Sequence, residues 1–136
     1  MKKYFLLFIA VFALSSFTGS EKEFDIVGRW ESTVEGEVFI FTFEKDGYAF
    51  LQKGDVTMGG KEFEIAGEKA SLTYTVDYIK TPHQLDIVVT RLAANEKQTM
   101  LKGIFKVQGD NEMLLVMGPE RPVSLEGAEA LVFKRK

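Results

Sequence analysis

The stretch Thr99-Met100-Leu101-Lys102-Gly103-Ile104-Phe105-Lys106-Val107-Gln108-Gly109-Asp110-Asn111-Glu112-Met113-Leu114-Leu115-Val116-Met117-Gly118-Pro119-Glu120-Arg121-Pro122 reads as two amphipathic strands folded on a tight turn. Leu101, Gly103, Phe105 and Val107 alternate with Met100, Lys102, Ile104 and Lys106. A period of two puts one set in a core and turns the other toward water. Gln108-Gly109-Asp110-Asn111 supplies residues that tolerate the positive φ of a short hairpin turn. Gly118-Pro119 and Arg121-Pro122 stop the second strand, since proline cannot donate to a ladder.

The same pattern extends outward in both directions. Upstream lie the runs Ile26 to Val34, Val38 to Phe43, Tyr48 to Gln52, Phe63 to Ile65, Leu72 to Tyr78 and Leu85 to Thr90. Glu35-Gly36-Glu37, Lys45-Asp46-Gly47, Gly67-Glu68 and Lys80-Thr81-Pro82-His83 punctuate them, and Gly54 to Gly60 reads as a connection. Downstream, Ala130 to Lys136 reads as a closing strand. Ala93 to Lys97 and Val123 to Glu129 have room for no more than a helical turn each. Apolar runs broken at such intervals predict an all-β fold, an up-and-down antiparallel barrel of about eight or nine strands.

The chain has 136 residues, enough for one domain. Residues 1–20 are expected to stand apart from it. Lys2 and Lys3 precede an apolar run from Tyr4 to Leu14 and a small-residue zone of Ser15, Ser16, Thr18, Gly19 and Ser20. That is the order of a cleaved export signal, and the run is too short for a permanent membrane span. The barrel domain is therefore expected over 21–136, in the periplasm, on the cell surface or in the medium of a bacterium. No cysteine occurs, so disulfides, thiolate metal sites and cysteine lipidation are excluded. Loss of Lys2 and Lys3 takes the formal charge from −3 to −5, which argues against nucleic acid or anionic lipid as partner.

Gly28-Arg29-Trp30 opens the first strand, and Arg135 sits near the end of the last, on the face of Leu131 and Phe133. In a closed barrel those two ends share a rim, where an arginine stacked on the indole gains about 0.5–2 kcal/mol. Gly28-x-Trp30 with a late arginine resembles the opening and closing signature of the lipocalins and the wider calycin group. Tyr74-Thr75-Val76-Asp77, Pro82, Leu85-Asp86-Ile87, Gly103-Ile104-Phe105, Gly109-Asp110, Leu114-Leu115 and Arg121-Pro122 resemble a family of small secreted bacterial lipocalin-like proteins. The resemblance covers nearly all of the mature chain. It departs from ordinary lipocalins in being shorter and in lacking their frequent disulfide. What it implies is a barrel with an apolar cavity, and it implies little about activity.

An inward set rich in Phe, Leu and Ile suits a bound apolar ligand and equally suits a dry packed core. The ligand-facing candidates are Phe41, Tyr74, Ile87, Phe105 and Leu115, and Gly103 is the inward position expected to leave a gap. On that expectation, Phe105→Ala changes ligand affinity more than stability. No catalytic or phosphate-binding motif occurs, and no cofactor or metal is expected. His83 reads as a solvated turn residue, and Asp77 and Asp86 as carboxylates bonding turn amides around Pro82. Two functional classes remain. One is a non-enzymatic carrier of a small apolar ligand or lipid. The other is an interaction or inhibitor module for an envelope protein, acting through exposed Met58 in the Gly54 to Gly60 loop and through the Gly118 to Pro122 loop.

Overall fold

The computed structural model describes residues 24–127 and 130–136. The expected export signal, residues 1–20, lies outside the described residues. Ten strands follow one another: β1 Gly28–Val34, β2 Glu37–Phe43, β3 Ala49–Lys53, β4 Val56–Gly59 and β5 Phe63–Ile65 make the first half. The second half is β6 Glu68–Asp77, β7 His83–Arg91, β8 Glu96–Gly109, β9 Glu112–Gly118 and β10 Leu131–Arg135. All pair antiparallel in one sheet of order β4-β3-β2-β1-β10-β9-β8-β7-β6-β5. Every neighbour is a sequence neighbour except β1 and β10, so the order is roughly up-and-down.

The count is ten rather than eight or nine, and the additional strand is β4. Its four residues Val-Thr-Met-Gly fall inside what reads as a glycine-rich connection. They pair with β3 in the register Leu51↔Met58 and Lys53↔Val56 across the two-residue turn Gly54-Asp55. That turn is a hairpin signal in its own right, masked here by the Gly59-Gly60 pair that follows. The short Ala93 to Lys97 segment forms a turn and the start of β8, and Val123 to Gly127 is a series of bends.

Local chemistry accounts for the hairpins. Glu35 and Gly36 both have positive φ, 53° and 81°, the signature of a two-residue turn whose twist matches the flanking strands. The central hairpin turns at Asp110-Asn111, with a register shift between Val107 and Gly109. A second shift between Ile87 and Val88 leaves Met100 of β8 as the extra residue, a bulge that bends the long β8 around the core.

The sheet closes almost completely between its outer strands. The Gly60 amide donates to the Ala49 carbonyl at 2.9 Å, and the Leu72 amide donates to the Gly60 carbonyl at 2.9 Å. The Tyr74 amide donates to the Gly47 carbonyl at 3.1 Å, next to an isolated Tyr48↔Thr73 bridge. Gly60 thus stitches the β3 side to the β6 side through its amide and its carbonyl. The inner faces enclose Trp30, Phe43, Leu72, Leu85, Ile87, Phe105, Met113, Leu115 and Phe133, each at most 2% exposed. Gly103 leaves no gap among them. A Cβ there would lie 2.9 Å from Met117 Cγ and 3.0 Å from the Val116 carbonyl oxygen, so Met117 already occupies the space.

The connection that follows β9 is pinned across the outer face at Arg121. Arg121 donates to both carboxylate oxygens of Asp86 on β7, at 2.6 and 3.1 Å, and to the Gly103 carbonyl on β8. Asp86 therefore binds this connection rather than turn amides. Asp77 does accept from a turn amide, that of Ile79, at 3.0 Å. A half-buried, forked arginine–carboxylate pair is directional as well as attractive, which fixes where the connection lies.

Candidate functional site

The two ends of the barrel differ. One end carries the starts of β1 and β3 and the ends of β2 and β10. There Arg135 lies with Cζ 4.4 Å from the Trp30 ring centroid and 5.5 Å from that of Phe24. Its guanidinium donates to the carbonyls of Val27, Asp25 and Asp110 and to Asn111 Oδ1. The Trp30 indole donates to the Ile26 carbonyl at 2.8 Å. Gly28 permits this close approach: a Cβ there would meet Arg135 Nη1 at 3.1 Å. The segment Phe24 to Val27 is thereby clamped over the end, with Phe24 5.8 Å from Trp30 and 5.9 Å from Phe105 between ring centroids.

That clamp carries a prediction. Arg135→Ala removes several charge-assisted hydrogen bonds and two cation–π contacts at once, an expected loss of about 2–3 kcal/mol in urea unfolding. Arg135→Lys should recover less than half, because an ammonium cannot reproduce the planar fork that reaches three carbonyls while stacking on indole. Full recovery by lysine would show that charge alone holds this end.

The opposite end is open and holds a cavity of about 600 Å³, within the range of about 300–1,000 Å³ typical of small-molecule sites. Alternation on β2 turns Glu37, Phe39 and Phe41 to the same inner face. The registers Phe41↔Leu51 and Phe39↔Lys53 extend that face onto β3, and Leu51↔Met58 and Lys53↔Val56 extend it onto β4. Leu101 of β8 closes the wall. Val56 belongs to the inner face yet is 70% exposed, because it stands at the mouth. Polar groups are confined to that mouth. Lys53 Nζ lies 4.0 Å from Glu37 Oε2 and 5.7 Å from the Phe39 ring centroid.

A second recess of about 730 Å³ lies at the clamped end, lined by Phe24, Asp25, Tyr78, Ile79 and His83. Its walls mix charge with an almost fully exposed Ile79, so an apolar ligand would bury less of its surface there than in the open-end cavity. His83 is not a free turn residue. Its ring lies 5.1 Å from Phe105 and 5.8 Å from Tyr78. Nδ1 is 3.0 Å from the Lys80 carbonyl, which can only accept, so Nδ1 carries a proton. Tyr78 accepts from the Ile26 amide, and burial pushes its phenol above the ordinary tyrosine range. Among the described residues no group of three or more His, Asp or Glu side chains is placed to hold a metal ion.

The five interior candidates divide. Phe41 lines the open-end cavity and also packs on Phe133 at 5.2 Å and Phe43 at 6.0 Å. Tyr74 lies toward the clamped end, edge-on to Phe43 at 4.9 Å, its hydroxyl donating to the Glu44 carbonyl at 2.8 Å. Burial likewise raises the pKa of Tyr74. Ile87, Phe105 and Leu115 are fully buried in the core and line neither cavity. The remaining wall residues, Phe39, Leu51, Met58 and Leu101, were not among the candidates. One signal could have pointed to them. Glu37 and Lys53 stand in phase with inward Phe39, Phe41 and Leu51 at the turn ends of their strands, and a charge on an inward face marks a rim. Met58, expected outside, is half-buried in the cavity wall.

No family model matches this chain, and neither curated proteins nor solved structures contain a match. Among the described residues no helix is long and apolar enough to cross a membrane.

Proposed function

We propose that this protein is an exported, non-enzymatic, lipocalin-like barrel that binds one small apolar ligand or lipid in its open-end cavity. The observation that carries the reading is the continuous inner wall of Phe39, Phe41, Leu51, Met58 and Leu101, apolar in depth, with Glu37, Gln52 and Lys53 as the polar residues of the lining. Such a cavity buries an apolar tail and leaves one polar group at the mouth to orient it. Lys2, Lys3 and the apolar run after them support export. The stacked Trp30–Arg135 pair, joining first and last strands, supports the lipocalin-like assignment. Of the two surfaces read for the interaction-module alternative, Gly54 to Gly60 is largely a strand hairpin with Met58 in the cavity wall, which favours the carrier reading.

Native mass spectrometry after incubation with an extract of the producing cell's envelope tests the reading directly. The expected result is a single adduct of lipid or small-molecule mass. Met58→Trp should reduce its occupancy by more than about tenfold, because an indole takes up wall space at a half-buried site able to accommodate it. Thermal unfolding of the variant should stay close to that of the parent. Absence of any adduct under gentle ionisation, with the fold intact, would remove the carrier reading.

A further inference from the structure

We infer that the open-end cavity selects ligands with a cationic head, a trimethylammonium or protonated amine on an apolar tail, and that Lys53 is the internal cation such a ligand displaces. The inference rests on the carrier reading above and adds the charge the site prefers.

Three observations converge on it. First, the structure already holds a cation at the mouth. The Lys53 ammonium lies over the Phe39 ring at 5.7 Å, beside the Glu37 carboxylate at 4.0 Å. An aromatic face with a carboxylate next to it is the two-part arrangement that recognises ammonium groups. Second, Lys53 occupies it loosely. The separation from Glu37 is too long for a hydrogen bond, and the two side chains are 62% and 49% exposed. Ion pairs of that kind are worth little, and a long lysine side chain gains rotamer freedom on release. A ligand whose tail is seated among Phe41, Leu51, Met58 and Leu101 presents its head at high effective concentration.

Third, the surrounding lip carries the complementary sign. Glu35 stands in the β1–β2 turn and Asp55 in the β3–β4 turn, both exposed. With Glu37 they make three acidic residues, against Lys53, in and beside the β1–β2 and β3–β4 turns, and the opposite wall at Leu101 is apolar. An anionic head would have to draw Lys53 away from Glu37 and then lie among the carboxylates. A cationic head meets the carboxylates and the ring together.

The test uses the neutral fluorophore N-phenyl-1-naphthylamine as a probe of the cavity, displaced by two ligands with the same tail. These are dodecyltrimethylammonium and dodecanoate, both kept below their micelle concentrations. The trimethylammonium ligand should displace the probe at a concentration about tenfold lower than the carboxylate. Glu37→Gln should shrink that ratio about fivefold by removing the partner carboxylate. Lys53→Gln should raise the affinity for dodecyltrimethylammonium itself by about threefold, since the internal competitor is gone. Equal or tighter binding of dodecanoate, or a ratio untouched by Glu37→Gln, overturns the inference while the carrier reading stands. If the probe does not bind and calorimetry detects neither dodecyl ligand, the carrier reading itself fails and the inference falls with it.

Discussion

Phe105→Ala is expected to destabilise the barrel by about 3–5 kcal/mol, the usual cost of emptying a phenylalanine site that cannot collapse. Phe105 has no exposed surface and pairs with His83 on one side and Leu115 on the other. Its ring lies 5.9 Å from Phe24, 5.1 Å from His83 and 6.5 Å from Tyr78. The walls of the resulting void would belong to a ten-stranded ladder and to a segment clamped by Arg135, and neither moves inward easily. Urea unfolding should show the loss at unchanged m-value, with a fall in Tm of roughly 10–20 °C. Phe105→Leu should restore about half of it, by refilling most of the volume. The inward period of Phe105 is compatible with a ligand-contacting role, but its place at the clamped end, away from the open cavity, makes stability the larger effect. A loss below about 1 kcal/mol would mean that the site is loosely packed.

Gly59→Ala is expected to be comparably damaging, at about 3–5 kcal/mol, from backbone strain and overpacking together. Gly59 has φ of +132°, which L side chains rarely adopt. A Cβ there would run into the Ala49 carbonyl oxygen and lie 2.7 Å from Phe50 Cα. Both obstacles are backbone. Phe50 is the register partner of Gly59, and the Ala49 carbonyl accepts from Gly60 at the seam. The chain can accommodate a methyl group only by lifting β4 from β3, which opens the seam and displaces Met58 from the cavity wall. Unfolding should register the loss, and hydrogen exchange should accelerate first in β3 and β4. Thr57→Ala, exposed on the same strand, should stay within about 0.5 kcal/mol. Ligand binding should weaken in the Gly59 variant even under conditions where most molecules remain folded.

Most strands were legible because period-two alternation and turn residues are local signals. The central hairpin, the Glu35-Gly36 turn and the edge-like Phe63 to Ile65 strand all follow from a few neighbouring residues. The rim pairing of Trp30 with Arg135 was legible for another reason: closing a strand series into a barrel brings its first and last members together. β4 was not legible, because four residues give too short a run to show a period and Gly59-Gly60 reads as a breaker. Their φ values are instead demanded by the passage of the chain across β3.

Sequence by itself determined an all-β barrel, its inward faces and the clamped rim, since alternation and closure need no knowledge of distant packing. Tertiary structure alone decided where the interior is filled and where it is empty. Met117 fills the space beside Gly103, while among the described residues a cavity remains between Phe39, Leu51 and Leu101. Asp86 and Arg121 meet only because the connection after β9 crosses two strands. Whether an inward phenylalanine is core or cavity wall depends on what stands across the barrel from it. That partner comes from a strand far away in the chain, and no local pattern names it.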